Sequence, residues 1–436
     1  MNRRVTDAAL PCDSRAEPSL AQGRRTPDSG PQATRVAPRA WIADKLLMGM
    51  TPGEYVRSLF TPFNFVAAII LAAGVPAIVY RFAYGLGAVT NLSQVNPWGL
   101  WIGLDVLSGV ALAAGGFTLA AAVYIFGLKQ YHAVVRPAVL TGFLGYVFVV
   151  IGLLVDLGRP WKLPVPIVYS FGTTSVMFEV AWCVFLYTIV LFLEFVPAAF
   201  EWLGLRKPRE WAVRLTIGLT VFGLMLSTLH QSSLGALFLL TPEKMHPLWY
   251  SPFIPIYFFV SAVVAGLSMV IVESGLSHRI FRSQLDPHER VDLDRITLGL
   301  AKAASIVLFA YFFIRLQGLA ESQNWALLNT PYGYWYLFEV LGFVLLPCFL
   351  YAHGVRNRKP ALVRVTAAWT VLGVVVYRLN ISVIALNWNV ATRYVPSWME
   401  VLTSVTIITI GVLTFRWIVN RMPVLREHPA YREAHY

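Results

Sequence analysis

The chain has 436 residues, of which 57% are hydrophobic and 13% are charged, and it carries a formal net charge of +12. A soluble domain has about 25% charged residues, so this composition excludes a soluble protein and predicts a polytopic protein embedded in membrane lipid. In such a protein the excess of Lys and Arg belongs to cytoplasmic loops, and no nucleic-acid partner is expected.

Residues 1–60 differ from the rest of the chain because Arg, Pro, Ser and Ala dominate there. This composition predicts a disordered cytoplasmic tail that ends in a short interfacial helix around residues 41–50. Paired arginines at positions 3–4 and 24–25 lack the apolar stretch that follows them in an export signal, so we do not interpret them as one.

Residues 61–420 contain ten apolar runs that are each long enough to cross a bilayer, which takes about 20 residues. They predict an all-α bundle of about ten transmembrane helices, followed by a C-terminal tail over 421–436. The predicted spans are 63–85, 98–126, 137–157, 175–199, 211–239, 252–278, 296–319, 333–354, 361–388 and 398–420.

The basic residues orient this bundle. Most of the 35 Lys and Arg residues fall in the two tails and the connections on the same side, so the positive-inside rule places both termini in the cytoplasm. The few on the opposite side are Arg81, Arg159, Lys162, Lys244 and Arg393.

Five ionisable side chains lie inside the apolar runs, each in a different run and all in the half nearer the non-cytoplasmic side. Charges at membrane depth are costly and mark an ion, proton or redox pathway. The five residues are Asp105, Glu179, His230, Arg315 and Arg378. Two further polar side chains, Tyr146 and Glu339, reach a similar depth.

Such a layer suits quinone chemistry, because His and Tyr can donate hydrogen bonds to quinone carbonyls while Asp and Glu relay protons. The structural alternative is that Asp105 or Glu339 simply neutralises Arg315 or Arg378. In the cytoplasmic half, Glu194, Glu273 and Lys302 could extend a proton path inward, or snorkel to the lipid headgroups.

Metal and haem chemistry find little support in the sequence. Cys12, Cys183 and Cys348 lie too far apart for an iron–sulfur motif, so no cluster and no metal site are expected in the chain. A haem would need two histidines at matching depth, and only the pair His278 and His353 is conceivable. We expect no haem.

Several blocks occur in a recognisable order. Together they resemble the NrfD/polysulfide reductase membrane-subunit family, and within it the HybB-type subunit (the so-called b-type cytochrome) of nickel–iron hydrogenases, over about residues 60–420. The blocks are Asn96-Pro97-Trp98-Gly99-Leu100-Trp101 leading to Asp105, Tyr131-His132 with Arg136-Pro137, Asp156-Leu157-Gly158-Arg159, Ser175 to Glu179, His230 to Gly235, and His246-Pro247-Leu248-Trp249.

The resemblance implies a quinone-reactive subunit of a bacterial inner-membrane complex, without redox metals of its own. A periplasmic ferredoxin-like iron–sulfur protein would dock on it, and hydrogenase small and large subunits would supply electrons for menaquinone or ubiquinone. Coupling to proton translocation stays open. Loops 86–97 and 240–251 are candidates for the docking rim.

The resemblance and the buried charges together suggest roles for individual residues. We assign proton transfer to Glu179, Tyr146 and Asp105, and quinone binding to His230, Tyr146, Trp98 and Arg315. The resemblance implies that Glu179 in Phe178-Glu179 and Tyr146 in Leu144-Gly145-Tyr146 fall where the family's proton and quinone residues are expected.

Three rival functions remain at this point. Another complex of the same family would use polysulfide, sulfite or a different donor. A secondary transporter also places charges at depth, around broken helices at the midplane. In a passive anchor, the buried charges would only pair with one another.

Overall fold

The computed structural model describes residues 45–281, 292–386 and 388–425. The predictions for residues 1–44, which include Cys12 and the paired arginines, and for residues 426–436 lie outside the described residues. The boundaries proposed for the two tails stay predictions.

The described residues form ten helices long and apolar enough to cross a membrane, which confirms the predicted all-α transmembrane bundle. Successive helices run in opposite directions. The helices are α1 (Pro62–Tyr84), α2 (Trp101–Ile125), α3 (Lys129–Asp156), α4 (Val176–Leu203), α5 (Arg206–Leu239), α6 (Ile254–Ile280), α7 (Leu293–Ser322), α8 (Pro331–Arg356), α9 (Pro360–Ala385) and α10 (Trp398–Arg421).

Most helix bounds agree with the predicted spans, and two helices start earlier. α3 begins at Lys129 rather than at 137, with Pro137 inside the helix, because membrane helices tolerate proline where neighbouring groups satisfy the freed backbone. α5 begins at Arg206 rather than at 211. Its first turn is polar and contains Pro208, which suits a turn whose N–H groups have no partner within the helix.

The second helix lies at the centre of the bundle because its small residues allow close packing. Its most apolar window is 78% buried, against 17% for α1. A side chain at Gly266 of α6 would collide with the backbone of α2 at Gly115, at 2.6 Å. Glycine at this crossing therefore lets the two backbones touch.

Four stretches of the described bundle are π-helical, namely Trp101–Ser108, Ala121–Ile125, Phe338–Leu345 and Asn380–Ala385. All but Ala121–Ile125 contain a buried polar side chain, respectively Asp105, Glu339 and Asn380. Single π-helical turns are frequent at functional sites, because the extra residue changes which side chains face the interior.

The first and last spanning helices form a pair at the edge of the bundle. α10 packs against α1 and against α3, while α1 turns most of its apolar surface to lipid. We call the side where α1 begins and α10 ends the terminal face, and the other side the opposite face. The terminal face is the one predicted to be cytoplasmic.

Candidate functional site

The predicted layer of charges resolves into separate clusters in the folded chain. Asp105 lies on a large cavity, Tyr146 and His230 contact each other, and Arg315 pairs with Glu339. Sequence reasoning identified these residues but did not predict how they divide into separate clusters.

Tyr146 of α3 and His230 of α5 form a hydrogen-bonded pair at the centre of the bundle. His230 Nδ1 lies 2.7 Å from the Leu226 carbonyl oxygen, so Nδ1 donates to that carbonyl and Nε2 accepts from the Tyr146 hydroxyl. Both side chains are fully buried. The pair is therefore sealed from lipid and water.

Polar groups surround this pair without completing their hydrogen bonds. Tyr187, Ser227 and Gln231 lie beside it, yet Tyr187 Oη, Ser227 Oγ and Gln231 Oε1 have no partner of good geometry among the described residues. Buried polar groups are normally satisfied by protein or ordered water. These unused hydrogen-bonding atoms could bind an internal water molecule or stabilise a proton.

Glu179 lies near the same pair, toward the opposite face. Its Oε1 is 2.6 Å from the hydroxyl of Ser233, one turn beyond His230 on α5. Glu179 sits in the first turn of α4, where the helix N-terminus stabilises a carboxylate. It is half-buried, and it lies between the connection at the opposite face and the buried pair.

Asp105 has a different environment. Its Oδ2 accepts a hydrogen bond of 2.7 Å from Ser404 of α10, and its Cβ lies about 3.0 Å from where a side chain at Gly152 of α3 would begin. The carboxyl borders a partly open cavity of about 700 Å³ that is lined by α2, α3, α6, α10 and the start of α1. We call it the lateral cavity.

The two walls of the lateral cavity differ in polarity. The wall from α2, α3 and α6 carries polar groups at successive depths, whereas the wall from α10 is apolar around Ile407 to Phe415. The polar residues run from the opposite face to the terminal face. They are Asp105, Ser108, Thr141, Glu273 and Ser277, with Thr61 and Arg416 at the terminal end.

Glu273 is the second carboxyl on this cavity. It is buried, and its Oε1 has no hydrogen-bond partner in the part of the chain that the structure describes. Thr141 lies close by on α3, but its hydroxyl also lacks a partner of good geometry. An unsatisfied carboxyl beside open space is suited to bind water or exchange a proton.

Arg315 and Glu339 instead satisfy each other. Their side chains form a buried ion pair of 2.9 Å, as the structural alternative in the sequence predicted. Glu339 also accepts hydrogen bonds from Trp249, at 2.8 Å, and Asn380, at 2.5 Å. The Arg315 guanidinium lies over the rings of Tyr257, Tyr311, Tyr336 and Tyr377.

Arg378 is fully buried without an ion-pair partner among the described residues. Its Nη2 donates to the Phe258 carbonyl oxygen at 2.9 Å and to Ser261 at 3.0 Å. The guanidinium lies 3.6 Å from the centre of the Phe258 ring. A cation–π contact of this kind partly compensates a desolvated charge.

The two connections proposed as a docking rim differ, because most of loop 86–97 is exposed whereas His246 and Trp249 of loop 240–251 are buried. His246 and Trp249 are 3% and 2% exposed, because His246 packs among Trp249, Tyr332 and Trp388. Burial lowers the pKa of His246 to about 4. Trp98 packs edge-on against Phe238 at 5.4 Å and does not line the lateral cavity.

The remaining predicted candidates lie apart. Glu194 accepts a hydrogen bond of 3.0 Å from Thr220, away from the lateral cavity, and Lys302 is exposed. His353 is exposed, whereas His278 bonds to the Ser274 carbonyl at 2.9 Å. Across the described ranges, no group of three His, Cys, Asp or Glu residues is arranged to hold a metal ion.

Sequence reasoning gave no site role to a group of charges between Asp105 and the opposite face, of which Arg81 and Glu400 are buried. Arg81 donates to the backbone carbonyls of Val155 and Leu157, close to Asp156 and Glu400. Glu400 belongs to the capping box that starts α10. These residues lie at the ends of the spans, where a charged side chain normally contacts the lipid headgroups. The one sequence signal for them was the block Asp156-Leu157-Gly158-Arg159, which contains Asp156.

Comparison with known proteins agrees with this architecture. The model of the polysulphide reductase family NrfD matches residues 88–391. A protein of Nitratidesulfovibrio vulgaris strain Hildenborough is 53% identical over 87% of this chain and 98% of its own length.

Two further relatives have informative names. The probable b-type cytochrome subunit of Ni/Fe-hydrogenase 2 from Escherichia coli K12 is 32% identical over 80% of this chain and 88% of its own length. The integral membrane subunit of menaquinone reductase from N. vulgaris is 28% identical over 79% and 87%.

The fold and these matches define an integral membrane subunit of an oxidoreductase. The chain belongs to the NrfD polysulphide reductase family. The resemblance seen in the ordered sequence blocks is thereby confirmed.

Proposed function

We propose that this chain is a quinone-reactive subunit that passes electrons between an iron–sulfur partner and the quinone pool. One observation carries the proposal: a lateral cavity at membrane depth whose walls are largely apolar, with the Asp105 carboxyl near one end. Ligand pockets measure about 300–1,000 Å³ and combine apolar walls with few polar groups. A quinone has this profile.

The chemistry needed at Asp105 is proton exchange. A quinone takes up two electrons and two protons to become a quinol, and the reverse reaction releases them. Ser404 is placed to hold Asp105 by its hydrogen bond, so that the second carboxyl oxygen stays available to the ring. Asp105 would give or take one proton while the partner supplies or removes the electrons.

Protons would reach this site along the polar wall of the lateral cavity. Glu273, Thr141 and Ser277 continue from Asp105 toward the terminal face, and Glu273 has an unsatisfied oxygen. Electrons delivered at the opposite face and protons taken from the terminal face would together separate charge across the membrane. Proton translocation is thus part of the proposal.

The buried pair of Tyr146 and His230, with Glu179 beyond it, forms a second candidate path for protons. Its members follow one another from the outer start of α4 to the middle of α5. Because the pair is sealed, quinone contact with His230 or Tyr146 would require the helices to open, and the same holds for the buried Arg315. Trp98 is half-buried and lies outside the lateral cavity. These binding assignments stay predictions, and Asp105 is the one predicted site residue that borders the cavity.

We propose a respiratory Ni/Fe-hydrogenase as the donor, with its small and large subunits and a ferredoxin-like iron–sulfur protein docked at the opposite face. The name of the E. coli relative supports this choice. We further propose a bacterial inner-membrane location with both termini cytoplasmic and menaquinone or ubiquinone as the substrate. The name of the menaquinone reductase relative supports menaquinone, and a donor other than hydrogenase is the alternative.

The test is to purify the complex from its own host through a tag on this chain and to identify its subunits by mass spectrometry. The hydrogenase proposal predicts both hydrogenase subunits and hydrogen-dependent quinone reduction. A complex that lacks hydrogenase but still reduces quinone with electrons from another donor would show that the proposed donor is wrong. A complex that reacts with no quinone would refute the proposed function.

A further inference from the structure

The lateral cavity extends well beyond Asp105. From the carboxyl it continues past Gly411 and Val412 of α10 to Phe63 at the start of α1 and Ile280 at the end of α6. A quinone ring held at Asp105 would occupy only the end nearer the opposite face. The rest of the space needs a different explanation.

We propose that this remaining space is a tail channel, which holds the polyprenyl chain of the quinone and leads it toward the terminal face. The inference rests on the proposed function and adds the direction in which the substrate lies and enters. The tail channel is lined by Phe63, Leu276, Ile280, Gly411, Val412 and Phe415.

The polarity of the walls supports this occupant. A polyprenyl chain offers no hydrogen bonds, and the α10 side of the cavity from Ile407 to Phe415 offers none from its side chains. The polar groups on the α2, α3 and α6 side remain free to hold water and protons. One cavity can thus take an apolar chain along one wall and protons along the other.

The closure of the cavity at the Asp105 end supports the direction. Trp101 and Glu400 are each 1% exposed there, and the Trp101 indole donates to the Glu400 carbonyl oxygen at 3.0 Å. At the terminal end, Leu276 and Ile280 are more than half exposed. A chain attached to a ring at Asp105 would therefore leave toward the terminal face.

The channel would guide the tail rather than attract it. Membrane lipid is as apolar as the channel, so moving the tail from lipid into protein gains little free energy. Blocking the channel should therefore exclude long-tailed quinones by collision, and leave quinones with short tails unaffected.

Gly411 is the position at which to block it. A Cβ at Gly411 would lie 3.4 Å from Phe148, an ordinary contact, so Gly411→Ala should fold normally and Gly411→Phe should fill the channel. The matched control is Gly218→Phe on α5, where the glycine is exposed with open space around it and outside the cavity.

We expect Gly411→Phe to raise the KM for a long-tailed menaquinone by about tenfold or more, the scale of discrimination that steric fit supplies. Its kcat/KM for a menaquinone analogue without a tail should stay within about twofold of the unaltered protein. Gly218→Phe should change neither. Equal loss for both quinones, or for neither, would overturn the inference.

A second measurement needs no variant. A menaquinone with a photoreactive diazirine at the far end of its tail should label peptides from the start of α1 and the ends of α6 and α10. Labelling of α4, α5, α7 or α8 instead would refute the tail channel while leaving the proposed function intact. The labelling should also decrease when an excess of long-tailed menaquinone without the diazirine is added. If it does not decrease, the channel holds phospholipid rather than the quinone tail, and the inference fails.

Failure of the proposed function would look different. In that case the unaltered protein would neither bind nor reduce the quinone with or without a tail, so no comparison of tail lengths would be possible.

Discussion

The lateral cavity and the Arg315–Glu339 pair are two polar regions at membrane depth with opposite characters. Glu339 is saturated by Arg315, Trp249 and Asn380. Asp105 receives a single hydrogen bond from Ser404 and borders open space. A charge inside an apolar helix is therefore not sufficient evidence of function, and what distinguishes the two regions is unused bonding capacity next to a cavity.

The largest expected effect is a loss of stability when the Arg315–Glu339 pair is broken. Glu339→Ala leaves Arg315 buried without its counter-charge, and breaking a buried pair in this way costs about 3–5 kcal/mol. We expect a large loss of folded protein and a lower midpoint of thermal unfolding in detergent. The double variant Arg315→Met with Glu339→Leu should recover much of the loss.

If the recovered double variant also lost quinone reduction while remaining folded, Arg315 would belong to the redox site as the sequence predicted. The separation of the two regions would then be wrong.

The next effect concerns chemistry at Asp105. Asp105→Asn keeps the shape and an acceptor for Ser404 but removes the proton-exchanging group, and losing a general acid–base residue costs about 10²-fold or more. We expect quinone turnover to fall by that factor, with thermal stability close to that of the unaltered protein. Near-normal turnover would remove Asp105 from the mechanism.

A smaller effect tests whether the polar wall of the lateral cavity carries protons. Glu273 lines the lateral cavity, whereas Glu194 lies in the same half of the membrane outside it. Glu273→Gln should slow turnover by roughly tenfold, a modest share of what acid–base groups contribute, and Glu194→Gln should stay within about twofold. Measurements of quinone turnover and of proton uptake in proteoliposomes would compare the two variants.

The reverse order, with Glu194→Gln the slower variant, would place the proton path outside the lateral cavity.

The smallest effect is a pH dependence of stability that comes from His246, in the connection between α5 and α6. Burial lowers the pKa of His246 to about 4, below the ordinary value of about 6.5, so the unfolded chain binds more protons between these values. Stability should therefore fall as the pH drops from about 6.5 to about 4. Unfolding midpoints of His246→Gln should show a shallower slope over that window.

An unchanged slope in His246→Gln would show that other groups dominate the acid sensitivity of the chain.

The sequence predicted the number of helices because each needs a long apolar run, which is a local property. It also identified Asp105, Glu179, His230 and Arg315, because a charge in such a run stands out. Their grouping could not be predicted, since it depends on the rotation of each helix about its axis. The pairing of Arg315 with Glu339, on α7 and α8, appeared only as one of several alternatives.

The lateral cavity itself had no signature in the sequence. It exists because α1 and α10 pair at the edge of the bundle and leave space against α2, α3 and α6, which is a property of tertiary packing. The π-helical stretch that carries Asp105 was equally invisible. Arg81, Asp156 and Glu400 were given no site role because charges at span ends usually meet headgroups.

The central claim is that the quinone ring binds at Asp105 in the lateral cavity. The most direct test is an electron cryo-microscopy map of the complex in lipid nanodiscs with added menaquinone. The account predicts ring density beside Asp105 and Ser404. Ring density at the Tyr146–His230 pair or beside Arg315, with the lateral cavity holding only lipid, would contradict it.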